Sequence, residues 1–389
     1  MSLITSVYPQ NNGFTRNPIL VSISAPRLAT YKVYANNVLM FTGNGMGDFT
    51  VNISEILETA FGETIAPAGN AMLLMFNQFN NYTNVTFEVN TTTEDTETIY
   101  LVAWKGGINK ADYRYFRNNN TDIFTEKFKN YSGNFFFTTR TYGWTISIKE
   151  TELEPLAFIM PLIAGEEQGH INVRETVTGE TVQIAGAPGA LMALNMEAVR
   201  KYFFVQYGVI ANLFDIMDPY HAGRIACRIA IEEAPGAQER CAVRFLNSFG
   251  VYERIDLVGK ATIQMAGNQD EESIYQTYDE GTDSFTKKRN RVPIGHTYRI
   301  ETGAKRNDEL AFIQDMLASD SIYLVLPDQE IKVIPSFEQS DRAYRQTEPE
   351  SMKITFKPVE DDSNISPKRT KYGTVRPRIF TSVFSEQFN

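Results

Sequence analysis

Along much of this chain apolar and polar positions alternate with a period of two, the pattern of strands with one buried face. Residues 19–24 form a short apolar strand opened by Pro18. Residues 31–42 (YKVYANNVLMFT) read as two short strands about Asn36-Asn37, a dipeptide that tolerates left-handed φ in a tight hairpin turn. Gly43, Gly45 and Gly47 then read as a flexible turn before Phe49, Val51 and Ile53 alternate again. Ser54 is placed to cap a short helix over 55–61, ended by Gly62. Strands are expected at 71–76, 84–90 and 98–104. Seven or so short strands with polar turns predict a sandwich over residues 1–106.

Residues 107–134 are polar and Asn-rich, interrupted by single aromatics, and read as a long connecting excursion, either a binding loop or a linker. Strand patterning resumes over 135–264, at 144–149 and 170–177, with a turn at Thr178-Gly179-Glu180 leading into 181–185. A short helix is expected at 197–204. The segments RIACRIAI (224–231) and RCAVRF (240–245) flank Pro235-Gly236 and predict a hairpin with Cys227 and Cys241 nearly opposite. A third portion, 265–358, carries a strand at 298–302 and a helix at 309–318, with Asp308 as its cap. A hairpin follows, its arms 321–326 and 330–334 joined over Pro327-Asp328, and then a strand at 352–356. Beyond that, 359–389 reads as an extended C-terminal arm whose Phe380, Phe384 and Phe388 are four apart, a helical spacing. They could dock on a neighbouring subunit or fold back on their own core. The expected fold class is therefore mainly β: two or three antiparallel sandwich-like domains with a few short helices.

Composition sharpens this little. The chain has 389 residues, 42% apolar and 22% charged, so neither disorder nor a fibrous repeat fits. Its 26 Phe and 19 Tyr suit pleated surfaces. The balance of 37 basic and 47 acidic residues gives a formal net charge of −10. That sign disfavours a broad nucleic-acid surface. A basic tail at Lys368, Arg369, Lys371, Arg376 and Arg378 follows the acidic Glu360, Asp361 and Asp362 and reads as solvated. Two cysteines exclude a disulfide scaffold. Cys227 and Cys241 fit either a cross-strand disulfide or two packed thiols, and the lack of a signal-like start favours thiols in a cytoplasmically made protein. No apolar run reaches the ~20 residues of a membrane helix.

Chemistry is scarce. His170, His221 and His296 have no second His or Cys at ligand spacing. No nucleophile elbow is present, and Gly43-Asn44-Gly45-Met46-Gly47 lacks the Lys and helix of a phosphate cradle. We assign no catalytic, cofactor-binding or metal-binding residue, and expect no enzymatic activity and no cofactor.

At RFLNSFGVYERIDLVGKA (244–261) the pattern becomes distinctive: a strand ends in Phe-Leu-Asn-Ser-Phe-Gly, then a Tyr-Glu strand leads to Gly-Lys. Asn247 and Gly250 can make the sharp turn, with Phe245 and Phe249 entering a core. This segment resembles a pattern in tail and virion structural proteins of phages infecting Bacteroidetes, including crAss-like phages. YRIETGAKRNDELAFIQDMLASDSIYLV (298–325), with IKVIP after it, is similar to the strand–helix–hairpin that follows in such proteins. NPILVSISAP and YKVYANNVLMFTGNGMGDFTVNISEIL look like their N-terminal β domain. The resemblance in layout covers most of residues 17–358 and implies a structural subunit of a tail, collar ring or baseplate. It would be located in the virion after synthesis in a bacterial cytoplasm. It implies a homo-oligomeric ring with other tail or collar proteins as partners, and neither a nucleic-acid surface nor a membrane span. A receptor- or carbohydrate-binding tail module is the alternative, suggested by the Tyr- and Asn-rich stretches at 77–84 and 112–134. A tail-borne cell-wall hydrolase, which needs only two carboxylates, is the third reading.

Overall fold

A computed structural model describes residues 3–62, 73–77, 81–91, 96–124, 128, 136–142, 144–163, 165–221, 223–234, 236, 240–267, 274–289, 294–303, 305, 309–326, 329–337 and 351–360. The chain is mainly β, and it divides into two compact units. The first comprises 1–233, 244–254 and 307–320; the second comprises 234–243, 255–306 and 321–389.

The first unit opens with β1 (Ile4–Tyr8), β2 (Asn12–Phe14), β3 (Leu20–Ala35), β4 (Val38–Asn52), helix α1 (Ser54–Glu58), β5 (Met75–Asn77), β6 (Tyr82–Thr91), β7 (Thr96–Trp104) and helix α2 (Lys110–Asn118). All but β5 among these strands form one sheet in the order β1-β3-β6-β7-β2, with β4 on the other side of β3. Alternation along β3 and β6 sends Val21, Ile23, Ala25, Val33, Val85, Phe87 and Val89 into a core that α1 joins through Leu57. The expected hairpin forms: Asn36 and Asn37 have φ of 47° and 66°, and Ala35 pairs with Val38. Two positive φ values in a two-residue loop match the right-handed twist of the strands it joins.

The glycines after it do not make the expected turn. Gly43, Gly45 and Gly47 lie within β4, opposite Tyr31, Ala29 and Ala25. The reason is aromatic cover: a Cβ at Gly43 would stand 2.3 Å from the Tyr31 ring, and one at Gly45 would stand 2.4 Å from Phe49. Strand glycines are tolerated where a neighbour fills the space a side chain would take. Helix α1 starts one residue early, with Ile53 at the N-cap position making no side-chain bond. Asn52 supplies the polar contact in place of Ser54: its carboxamide oxygen accepts from the Ser54 N–H and hydroxyl at 3.3 and 2.9 Å.

The segment read as a polar excursion carries helix α2. Asn109 caps it, accepting from the Asp112 N–H at 2.9 Å. Its Tyr113, with Ile123, Phe124 and Phe128, is buried beside Phe14, Trp104, Phe137 and Phe249. Tyr113, Phe124 and Phe128, aromatics that interrupted a polar stretch, are anchors of a core, so the described part of the segment is held by its own chain.

Strands β8 (Thr141–Tyr142), β9 (Thr145–Lys149), β10 (Leu156–Ile159), β11 (Gly169–Glu175), β12 (Thr181–Gly186), β13 (Leu191–Leu194), helix α3 (Met196–Tyr207), β14 (Leu213–Met217) and β15 (Ile225–Glu232) complete this part of the chain. A six-stranded sheet, β12-β11-β14-β15-β9-β8, shares one core with the three-stranded β10-β13-β5 and α3. The β11–β12 hairpin forms as read, with Gly179 at φ 77°. Helix α3 runs from an Asn195 cap to Gly208 in the left-handed conformation, longer at its C-terminal end than its sequence suggests.

The remaining elements are β16 (Cys241–Leu246), β17 (Tyr252–Leu257), β18 (Ala261–Gly267), β19 (Ile274–Asp279), β20 (Ser284–Arg289), β21 (Ile294–Glu301), helix α4 (Leu310–Ala318), β22 (Ile322–Val325), β23 (Glu330–Phe337) and β24 (Lys353–Pro358). A seven-stranded sheet has the order β17-β16-β22-β23-β24-β21-β18, and β19 and β20 pair with each other. The β22–β23 hairpin is as expected. The one expected across Pro235-Gly236 is not: β15 pairs with β14 and with β9, whereas β16 lies between β17 and β22. Strand β15 already has both edges filled, and the strand after it is recruited elsewhere. Cys227 and Cys241 are free thiols. Residues 361–389, including the three arm phenylalanines, and Asp308 lie outside the described residues.

Candidate functional site

The residues that gave the sequence its distinctive segment fold into a buried polar turn of the first unit. The backbone chain reverses at Asn247-Ser248-Phe249-Gly250, with the Asn247 N–H donating to the Val251 carbonyl at 2.8 Å. Gly250 has φ 76°, and a Cβ there would stand 2.6 Å from the Lys105 carbonyl oxygen. Facing it, Gly106 has φ 108°, and its Cβ would meet the Ser248 carbonyl at 2.4 Å. Two glycines therefore let the turn and the 105–107 backbone approach closely, and the Gly107 N–H donates to the Ser248 carbonyl at 2.7 Å.

Asn247 is fully buried and uses its whole side-chain capacity. Its Nδ2 donates to the Phe137 carbonyl at 2.8 Å and to Glu253 Oε2 at 2.7 Å. Its Oδ1 accepts from the N–H groups of Phe249 and Val251 at 3.0 and 3.1 Å. Asp315 on α4 accepts from the Ser248 N–H at 2.9 Å, the Ser248 hydroxyl at 2.5 Å and the Thr139 hydroxyl at 2.9 Å. As the spacing predicted, Phe245 and Phe249 enter cores. Phe245 meets Phe312 at 5.1 Å between centroids, and Phe249 packs with Phe14, Phe128 and Phe137.

Beneath the turn lie two carboxylates and one guanidinium. Arg140 donates from Nη1 to Glu152 Oε2 at 2.6 Å and from Nη2 to the Arg254 carbonyl, with its Nε 3.7 Å from Glu253 Oε1. Its guanidinium carbon sits 3.9 Å from the centroid of the Phe312 ring. Glu253 also accepts from the Thr138 hydroxyl at 2.5 Å. Burial pushes the Glu253 carboxyl up to about 7, against the pull of Arg140 and the hydrogen bonds from Thr138 and Asn247. Glu152 pairs with Arg140 inside the node, while burial and the neighbouring Asp315 favour the neutral form of Glu253. Every named member is buried or partly buried, and together they fix a turn between strands. Sequence reading reached Asn247, Gly250, Phe245 and Phe249. It missed Arg140, Glu152 and Asp315, which are supplied from far along the chain without a local pattern.

The other weighed residues are scattered. His170 Nδ1 is 2.9 Å from Glu166 Oε2, and His221 Nδ1 is 2.9 Å from Asp218 Oδ2. His296 lies on β21, opposite Met265. Among the described residues no group of three His, Cys, Asp or Glu is placed to hold a metal ion. Nor, among the described residues, is any helix long and apolar enough to cross a membrane. Burial pushes the Cys227 thiol far up and the Cys241 thiol up to about 11, so neither has a thiolate's reactivity at neutral pH. Outward-facing aromatics are a separate feature: Tyr100 on β7 and Tyr115 on α2 are both well exposed.

No protein-family model matches the chain, and no curated protein matches it. Three solved structures are similar in part. The periplasmic chaperone SfaE has 8% identity over 58% of this chain and 96% of its own, with a TM-score of 0.18. A structure described as concerning host cell surface retention of a 1.5-MDa bacterial ice-binding adhesin has 7% identity over 73% of this chain and 93% of its own, with a TM-score of 0.14. A Ca2+-stabilized adhesin of an Antarctic bacterium, described as helping it to bind ice, has 8% identity over 91% and 97%, also at 0.14. At these scores the likenesses carry no argument about fold or function.

Proposed function

We propose that this chain is a non-enzymatic structural subunit of a phage tail, collar ring or baseplate, working by repeated self-association and by contacts with neighbouring virion proteins. The observation that carries this reading is the ordered set of three segments, 17–57, 244–261 and 298–335, that resembles tail and virion structural proteins. The central segment supports it physically. Its conspicuous Asn and Gly are spent on a buried turn that shapes the protein, as a structural subunit requires, and not on a solvent-facing pocket. Quantitative mass spectrometry of purified particles tests it. A fixed copy number that matches a whole ring relative to the capsid protein is the expected result; absence from particles that assemble in its presence refutes it.

A receptor- or glycan-binding tail module is a second reading, favoured by the exposed Tyr100 and Tyr115, since aromatic faces suit sugar and protein contacts. Glycan-array and host-cell binding by the isolated protein tests that reading, and no binding in either assay counts against it.

A further inference from the structure

Strand β4 runs for 15 residues and, among the described residues, pairs with β3 alone. Among the described residues its second edge therefore presents a row of backbone donors and acceptors. Edges of such length are ordinarily blunted by Lys or Pro or covered by another element, because an open edge recruits strands. Strand β4 has no Lys, Arg or Pro, and Asp48 is its one charged residue. Val38, Leu39, Phe41 and Met46 on it are all exposed. On its core-facing side Phe41, Gly43, Gly45 and Phe49 stand opposite Val33, Tyr31, Ala29 and Ile23. The glycines leave this row low, and Tyr31 lies 6.0 Å from Phe41 and 6.2 Å from Phe49 between ring centroids. The edge thus combines free backbone pairing with an aromatic shelf.

We infer that the open edge of β4 accepts residues 378–388 of a second copy of this chain as an added strand. The sequence RIFTSVFSEQF contains neither Gly nor Pro and is rich in β-branched and aromatic residues. In a strand Phe380, Phe384 and Phe388 share one face, because their spacing of four is a multiple of two. That face matches the shelf of Phe41, Tyr31 and Phe49. Residues 361–377 precede the segment and, at about 3.3 Å each, span up to roughly 55 Å, enough to reach a neighbouring copy. Charge does not oppose it: the segment carries one basic and one acidic residue, Arg378 and Glu386, and Asp48 is the one charge on β4. Added-strand recognition of this kind draws affinity from main-chain bonds and specificity from alternate side chains. An arm on one copy and an edge on the next form a head-to-tail contact, which generates a ring where the rotation closes. The inference rests on the self-association proposed above and names the parts that perform it.

Two variants of the full-length chain test it. One replaces Phe41→Lys and Met46→Lys on β4 and keeps its arm; the other replaces Phe380→Ser, Phe384→Ser and Phe388→Ser and keeps its edge. Circular dichroism and thermal melts first establish that both fold as the parent does; a Thr42→Lys, Asn44→Lys pair substitutes for the first if it does not fold. By analytical ultracentrifugation the parent is expected to associate, and each variant alone to associate more than tenfold more weakly. Mixed, the two are expected to form a 1:1 complex, since one still offers an arm and the other an edge. Association of the arm variant at the parent's strength would mean edge-to-edge pairing of β4 and overturns the inference. A mixture that stays monomeric, or a parent that never associates, overturns it too. Particle mass spectrometry reads the virion proposal separately, so a failed arm exchange and a failed virion assignment are told apart.

Discussion

Replacement of Asn247 by Ala removes four hydrogen bonds from a residue that is fully buried. Two N–H donors, of Phe249 and Val251, lose their acceptor. Two acceptors, the Phe137 carbonyl and the Glu253 carboxyl, lose a donor. A buried polar group left unsatisfied costs about 1–3 kcal/mol, so four groups put the loss at no less than about 4 kcal/mol. The lower end is the better figure, because Glu253 keeps its bond from Thr138 and its neighbour Arg140. Against a typical domain stability of about 5–15 kcal/mol, such a loss is a large part of the whole. Urea unfolding followed by tryptophan fluorescence reads it, Trp104 being the buried one of the two tryptophans. That indole is buried in the aromatic cluster that Phe249 joins, with Phe124 5.1 Å and Phe137 6.3 Å away. Asn247→Asp is the companion variant. It keeps the acceptor for both N–H groups but sets a carboxylate against Glu253, so its deficit should shrink as pH falls and one of the pair takes up a proton. A loss below about 1 kcal/mol for Asn247→Ala, or an Asp variant whose deficit ignores pH, would falsify the view that this turn is held by its side-chain bonds.

Four further outcomes are expected. Glu253 has a folded-state pKa raised to about 7 from an ordinary value near 4.5, so its stabilising effect is complete below the unfolded value and is lost as pH rises through 7. The urea midpoint of the parent relative to Glu253→Gln should therefore fall between pH 5 and 8, and a constant difference would refute the shift. Gly250→Ala forces a Cβ to 2.6 Å from a backbone carbonyl at positive φ, and should cost about 1–3 kcal/mol by the same unfolding assay. Phe249→Ala should cost about 3–5 kcal/mol through the cavity it opens among Phe14, Phe128 and Phe137; a loss under 1 kcal/mol would show that cluster to be loosely packed. In native protein Cys227, wholly buried, should react with an aromatic disulfide reagent far more slowly than the partly exposed Cys241, and both should react at once in urea; equal native rates would contradict the burial pattern.

Local signals in the sequence reached a good part of this fold. The Asn36-Asn37 turn, the β11–β12 hairpin at Gly179, the start of α3 and the β22–β23 pair are each specified by residues within about fifteen positions of one another. Turn chemistry and period-two alternation act over that range. Asn247, Gly250, Phe245 and Phe249 were legible for the same reason: a sharp turn between two buried strands needs a short polar side chain, a positive-φ residue and apolar flanks.

What the sequence by itself determined, then, is the β class and most of the local turns, because alternation and φ preferences are properties of neighbouring residues. The tertiary structure decided the rest. Tyr31 and Phe49 cover Gly43 and Gly45 and turn a glycine-rich run into strand. A filled edge on β15 sends β16 to another sheet, and Tyr113, Ile123, Phe124 and Phe128 tie the described part of the Asn-rich stretch into a core with Phe14, Trp104 and Phe249. Arg140, Glu152 and Asp315 join the node of Asn247 from 68 to 107 positions away. Which strand edge is already occupied, which ring fills a gap and which charge is shut away from water are facts about residues far apart in sequence, and only folding brings them together.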